Sequence, residues 1–395
     1  MAHVLLFTII SSMPAMLTGP SWSFDALHII PALQRRPEYT SDFEAARIHI
    51  LPLRNPFPPD VGAARVHDWL VNHYSPWNDT RNVFVQFNLC DHIIDCGWVS
   101  RGPDFSGVPR AVRPSSPHRR ILLAQWNGRS DGFNSGNEDF CTSCVQRGKD
   151  IVLPTARNAC GPYCGSDRAT LRHWAVWHAR APTEPLEALR YVESWPRRPF
   201  DVFWAGQVTP PQMNPAANPK DDVSGRGLFY RTFFDRSGWS IHQTYSWAAN
   251  KPVPLSVSML EMMRNSTFCF SPLGHVGGDQ DRYLPALLTG CIPIMLTSVY
   301  ESGRKQPVVP PLDDLIPWTK IAVLVDADDV HRLPDILARV DVAHRRYAVY
   351  KHWRQLLWTT AYAEPEGDLW EDGTDDAVDA LVRVLHMRAQ RTSST

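Results

Sequence analysis

The chain has 395 residues, of which 44% are hydrophobic and 21% charged, with a formal net charge of −1 at pH 7. That length is too great for one ordinary core and predicts two domains of roughly 150 to 200 residues each. A near-neutral chain has no global field to draw in a polyanion, so nucleic acid is excluded as a partner and ligands must be recognised by local sites.

The chain opens on an apolar run, Val4 to Ile10, extended weakly through Leu17 and followed by the small residues Thr18, Gly19, Ser21 and Ser23. Residues 1–23 read as a signal peptide or short membrane-targeting segment, because the run is shorter than the ~20 residues a span requires. A buried first strand is the alternative. Residues 24–199 are expected to form a first α/β domain with many loops. Its strands are expected at Ala45–Leu53, Asn82–Phe87, Ile121–Ala124 and Lys149–Pro154, with a short helix at Ala64–Tyr74. The strand at Asn82–Phe87 runs into a polar end, Cys90-Asp91-His92.

Eight cysteines are present, six of them in close pairs in the first half: Cys90 and Cys96, Cys141 and Cys144, Cys160 and Cys164. The last four approach the spacing of a four-thiolate zinc site in a cytosolic protein and would be disulfides in a lumenal one. Two glycosylation acceptors, Asn78-Asp79-Thr80 and Asn265-Ser266-Thr267, are compatible with lumenal exposure. Four prolines between Pro182 and Pro199 read as the connection between domains.

The second domain, 200–375, opens with the strand Phe200–Gly206, followed by a polar loop and a helix introduced by Ser224-Gly225-Arg226. A helix at Leu255–Arg264 feeds the central stretch, Ser266 to Thr297. There an apolar strand stops at Ser271-Pro272, glycines follow at Gly274, Gly277 and Gly278, a short helix begins between Arg282 and Pro285 and ends at Gly290, and Ile292–Leu296 forms a second strand. In a parallel sheet such a loop lies at the carboxyl end of its strand, where bare N–H groups and a helix start hold phosphate. Arg282 adds a planar fork of donors. Cys291 reads as a small buried thiol under the loop. Beyond it come a strand at Ile321–Val325, helices at Val330–Val340 and Val342–Leu357, and residues 376–395 as an amphipathic terminal helix and tail.

The central stretch resembles the exostosin-type glycosyltransferases. The family's FC-x-x-P-x-G strand end, Arg-containing helix start and GC-I-P-V strand are similar to Phe268 to Gly274, Arg282, and Gly290 to Ile294. Lys149–Pro154 looks like the family's K-D-V-V-x-P strand, Phe203–Gly206 like its F-F-x-G strand, and Ser224-Gly225-Arg226 like its glycine and arginine segment. These matches cover about half of the chain, from Lys149 to roughly Leu337. The resemblance implies an α/β fold of GT-B type, two Rossmann-like domains facing across a cleft, with the terminal helix crossing back to the first. It implies no metal and no cofactor beyond a nucleotide-sugar co-substrate, taken as a UDP-sugar. It also implies a glycan or glycoprotein acceptor and a Golgi or secretory-pathway location. Membrane association through the N-terminus and assembly into a hetero- or homo-oligomer are compatible with it.

The donor site is therefore expected from Arg226, Ser271, Gly274, Gly277, Gly278, Asp279 and Arg282, and the catalytic base from Asp91 or His92, just past a first-domain strand. One departure stands out. Many family members carry an acidic residue three positions after the arginine, suited to the ribose hydroxyls, and this chain has Pro285 there. That motivates a second reading, a catalytically silent exostosin-like subunit that binds glycan or stabilises an active partner. A cytosolic zinc protein is the third.

Overall fold

A computed structural model describes residues 6–9, 24–52, 70–88, 121–125, 147–148, 150–154, 184–194, 197–214, 216, 218, 224–273, 282–301, 304–358 and 375–393. The chain divides into two compact units. One comprises Met1–Pro154, Val309–Leu315 and Leu357–Thr395, the other Thr155–Val308 and Ile316–Leu356. The principal strands are β1 (Phe7–Ile9), β2 (Ile48–Pro52), β3 (Val83–Asn88), β4 (Ile121–Gln125), β5 (Ile151–Val152), β6 (Phe200–Gly206), β7 (Trp239–Gln243), β8 (Ser266–Ser271), β9 (Ile292–Leu296) and β10 (Val323–Val325). The principal helices are α1 (Phe24–Gln34), α2 (Pro185–Glu193), α3 (Arg226–Phe233), α4 (Met259–Arg264), α5 (Tyr283–Leu288), α6 (Val342–His352) and α7 (Ala377–Ser393). Each unit is thus α/β, built on one five-stranded parallel sheet.

In the first unit the strands lie in sequence order, β1 to β5. Phe7–Ile9, inside the opening apolar run, pair in parallel with Ile48–Ile50, and Ile9 is buried. The terminal helix α7 belongs to this unit and touches α1. Buried Arg388 on α7 donates to the Asp150 carbonyl at 3.3 Å and pairs with Asp314, which also takes Arg391 at 2.8 Å. Trp358 adds an indole bond to the Pro154 carbonyl at 2.9 Å.

His49 of β2 is fully buried, stacked on its cross-strand neighbour Phe84 at 5.0 Å with Nδ1 3.0 Å from the Tyr74 hydroxyl. Desolvation by burial pushes the imidazole down to about 4, against a backbone hydrogen bond that raises it. Between pH 6.5 and 4 the unfolded chain therefore binds the proton that the folded one refuses. The contribution is complete above about pH 6.5 and is lost as the pH falls toward 4. Urea-unfolding free energies should drop across that window by up to about 1 kcal/mol per pH unit, and the slope should flatten in His49→Phe. An unchanged slope in the variant would remove His49 as its source.

In the second unit the order is β10-β9-β8-β6-β7, all parallel. Apolar residues two apart point to one face, so Val202 and Trp204 of β6, Phe268 and Phe270 of β8, and Ile292 and Ile294 of β9 form one core with Phe229 and Phe233 of α3. Phe229 and Phe270 stack with centroids 3.9 Å apart.

Several local expectations change. The Pro182–Pro199 stretch, read as a connection, holds α2, with Pro185 in its first turn where a missing N–H costs nothing; α2 belongs to the second unit. The helix expected from Leu255 starts at Met259, because the Ser258 side chain accepts from the Glu261 N–H at 3.2 Å and caps it there. The helix expected at Val330–Val340 is a 3-10 turn, Ala327–Arg332, followed by one turn of α-helix, Leu333–Leu337. Cys291 is not a free thiol. It is bonded to Cys269 of β8, with Cα atoms 5.8 Å apart, a separation suited to a disulfide. The six other cysteines, and most of the helix expected at Ala64–Tyr74, lie outside the described residues.

Candidate functional site

Numbered along the second unit alone, its strands run 2-1-3-4-5, so the chain leaves β6 in one direction for β7 and returns to the other side for β8. Such a reversal opens a crevice outside the carboxyl ends of the two strands flanking it, the usual ligand position in an open parallel sheet. Here those ends are Gly206 of β6 and Ser271 of β8.

Arg226 is brought to this place by backbone geometry. Gly225, its predecessor, has φ of 70° in the left-handed region, and α3 begins immediately after it. A Cβ on Gly225 would stand 2.4 Å from Leu296 Cδ1, so glycine is required both for the turn and for the approach to β9. The Arg226 Nε then donates to the Leu273 carbonyl at 3.0 Å, which ties the start of α3 to the chain just past β8. Gly225→Ala should destabilise the protein by about 2 kcal/mol, combining left-handed strain with a core clash. Equilibrium urea unfolding measures it, and a loss within error of zero would show that the turn tolerates a side chain.

Ser271 closes β8. It is fully buried, and its Oγ has no hydrogen-bond partner. By register Cys269 lies across from Phe203, so Ser271 shares that face and not the face of Trp204. Arg282 is the N-cap of α5, and Gly290 follows α5 with φ of 67°, both as the sequence predicts. All six residues of α5 are buried, Pro285 included, so the position where the family carries an acidic residue is packed into the interior. The structure therefore brings Arg226 to the end of β8. Gly274, Gly277, Gly278 and Asp279, and the base candidates Asp91 and His92, lie outside the described residues.

Three further features hold the sheet and the loops that leave it. Arg198, just before β6, donates to the carbonyls of Met263, Ser266 and Thr289 at 3.1, 2.7 and 2.8 Å. The Gln243 side-chain amide closes a pair of bonds on Val208, accepting from its N–H at 2.8 Å and donating to its carbonyl at 2.6 Å, which fixes the loop leaving β6. Trp204 lies beneath Gly206: a Cβ there would meet the indole Cζ2 at 2.5 Å. The F-W-A-G run signalled the last of these. Nothing local signalled the first two, whose partners are distant in sequence.

Residues 181–340 match the family described as the Exostosin GT47 domain. A probable glycosyltransferase of Arabidopsis thaliana is 34% identical over 91 residues, 23% of this chain and 16% of that protein. A probable glucuronosyltransferase of Oryza sativa subsp. japonica is 30% identical over 174 residues, 40% of this chain and 38% of that protein. Exostosin-like 1 of Mus musculus is 27% identical over 237 residues, 55% of this chain and 33% of that protein. The aligned part is thus less than half the length of each relative. Residues 181–340, which hold the switch point, Arg226 and the disulfide, are thus the part of the chain that is similar to the Exostosin GT47 domain.

Proposed function

We propose that the chain is a glycosyltransferase that moves a sugar from a nucleotide sugar, a UDP-sugar, to a glycan acceptor in the secretory pathway. The observation that carries the reading is Arg226 held against the Leu273 carbonyl at the switch point of a parallel sheet, inside the exostosin-type domain. In the transfer an acceptor hydroxyl oxygen bonds to the anomeric carbon as the bond from that carbon to the β-phosphate oxygen breaks. The electron pair leaves with the diphosphate, and the hydroxyl proton passes to a base. Charge neutralisation on the leaving group and in-line positioning supply most of the catalysis.

Arg226, Ser271 and Arg282, with Gly274, Gly277, Gly278 and Asp279, are assigned to the donor, and Asp91 or His92 to the base. A secretory location is supported by the disulfide, which suits an oxidising compartment, and by Asn78 and Thr80, both exposed as a glycan acceptor must be. Among the described residues no helix is long and apolar enough to cross a membrane. Membrane association through the N-terminus and an oligomeric state are further parts of the proposal.

Calorimetric titration with UDP and a panel of UDP-sugars tests the reading. Saturable UDP binding by the wild type is expected, and Arg226→Ala should weaken it by more than ~1 kcal/mol, the loss of a charge-assisted contact. Absence of binding by UDP and every UDP-sugar would defeat the proposal. Buried Pro285 favours one alternative, a silent exostosin-like subunit. UDP binding without sugar transfer to any glycan in an acceptor screen would favour it.

A further inference from the structure

We propose that the hairpin following β7 holds a sugar unit of the acceptor glycan against the rings of Tyr245 and Trp247. This deepens the glycosyltransferase reading and rests on it. Tyr245–Ser246 pairs antiparallel with Lys251–Pro252, with Tyr245 opposite Pro252. The Tyr245 and Trp247 rings meet with centroids 4.8 Å apart and planes at 61°, so together they make an aromatic corner.

The polar atoms of both rings are engaged by the protein itself. The Trp247 indole N–H donates to the Val208 carbonyl at 2.7 Å, and the Tyr245 hydroxyl donates to Asn250 Oδ1 at 2.6 Å. Asn250 has φ of 47°, a left-handed conformation that asparagine tolerates better than most residues. Neither ring needs water to satisfy its polar atom, yet Trp247 is 36% exposed, Tyr245 is half-buried, and Asn250 and Pro252 are exposed. The hairpin thus presents aromatic surface that is already oriented, and a ligand that lies on it has little left to order.

Its place on the sheet ties it to the crevice. The Thr244 N–H donates to the carbonyl of Gly206, the last residue of β6, at 2.9 Å, and Gln243 and Trp247 both donate to the Val208 carbonyl two residues further on. The corner is therefore fastened to one of the two strand ends that flank the switch point. Its chemistry selects the occupant. A pyranose offers C–H bonds over a flat apolar face and hydroxyls around the rim, which the ring faces and the Asn250 amide NH2 complement. The corner itself contains no cation, so it suits a neutral sugar and not the diphosphate.

Saturation-transfer NMR with cellotetraose, xylotetraose, mannotetraose and galactotetraose tests this, beside a calorimetric titration with UDP. At least one tetrasaccharide should receive saturation at its ring C–H protons from the wild type. Trp247→Ala should bind it about tenfold more weakly, with UDP affinity unchanged. No transfer to any of the four, or equal affinity in Trp247→Ala, overturns the proposal and leaves the donor reading intact. A Trp247→Ala protein that loses UDP affinity and keeps the tetrasaccharide also overturns it, and assigns the ring to the nucleobase. Failure of UDP and all UDP-sugars to bind wild type removes the donor reading itself. If Trp247→Ala does not fold, Asn250→Gly decides, because glycine adopts the left-handed turn readily and removes the amide donor. The proposal requires weaker tetrasaccharide binding in that variant with UDP affinity unchanged, and full tetrasaccharide affinity refutes it.

Discussion

Arg198→Ala should lose about 4 kcal/mol of folding stability, the largest effect expected of any single substitution in the second unit. The guanidinium serves three carbonyls, those of Met263, Ser266 and Thr289. Met263 lies in the last turn of α4 and Thr289 is the C-cap of α5, so one cation sits at the negative ends of two helices and at the start of β8. Burial pushes Arg198 down to about 9, helped by the cations Arg346 and Arg264, and it remains charged at neutral pH. Truncation relieves that repulsion, but it takes a charged donor from three carbonyls at once, only one of which, Met263, keeps the Asn265 N–H, and that loss outweighs the relief. Arg198→Lys should recover only part of the loss, because a point ammonium on a flexible stem cannot serve three diverging acceptors as a planar fork does. Urea denaturation measures both variants. A loss under about 1 kcal/mol in Arg198→Ala would mean that water replaces the arginine.

The double variant Cys269→Ala, Cys291→Ala should cost about 3 kcal/mol, the loop-closure term for a bridge of this span. The two cysteines are 22 residues apart, and the chain between them holds the glycine loop and α5. Cys269 belongs to β8 and Cys291 immediately precedes β9, so the bond fastens both ends of that loop-and-helix segment to neighbouring strands. Adding reductant to unfolded wild type before refolding should cost at least as much, since the six remaining cysteines meet the reductant too, and the variant should lose less on reduction than the wild type does. A wild-type midpoint that does not move under reducing conditions would contradict the bond.

Much of the second unit was legible because its strands are short apolar runs closed by punctuation that has a local cause. Ser271-Pro272 stops β8, Gly206 stops β6, and Gly290 turns the chain between α5 and β9. The edge strand β7 was not legible. Trp-Ser-Ile-His-Gln pairs on one side only and needs no continuous apolar run. Strand order was equally hidden, since it follows from how helices cross the sheet, and the switch point could not be located before the order was known. The same reason concealed the cysteine partners. Sequence proximity groups close pairs, whereas Cys269 and Cys291 meet because β8 and β9 are neighbours. Arg198 stood in a proline-rich stretch that read as connection, and its acceptors lie 65 to 91 residues away.

The first unit is assembled from three stretches of chain, the last of which contains α7. During synthesis the second unit is almost wholly available once residue 356 has emerged, whereas Arg388, which joins Asp150 to Asp314, comes nearly at the end. Folding order on the ribosome should therefore run against sequence order. The unit that starts first must wait for α7, whose Val378, Leu381, Val384 and Leu385 are buried in it. A premature stop within α7 would release a molecule whose second unit is finished and whose first unit is not.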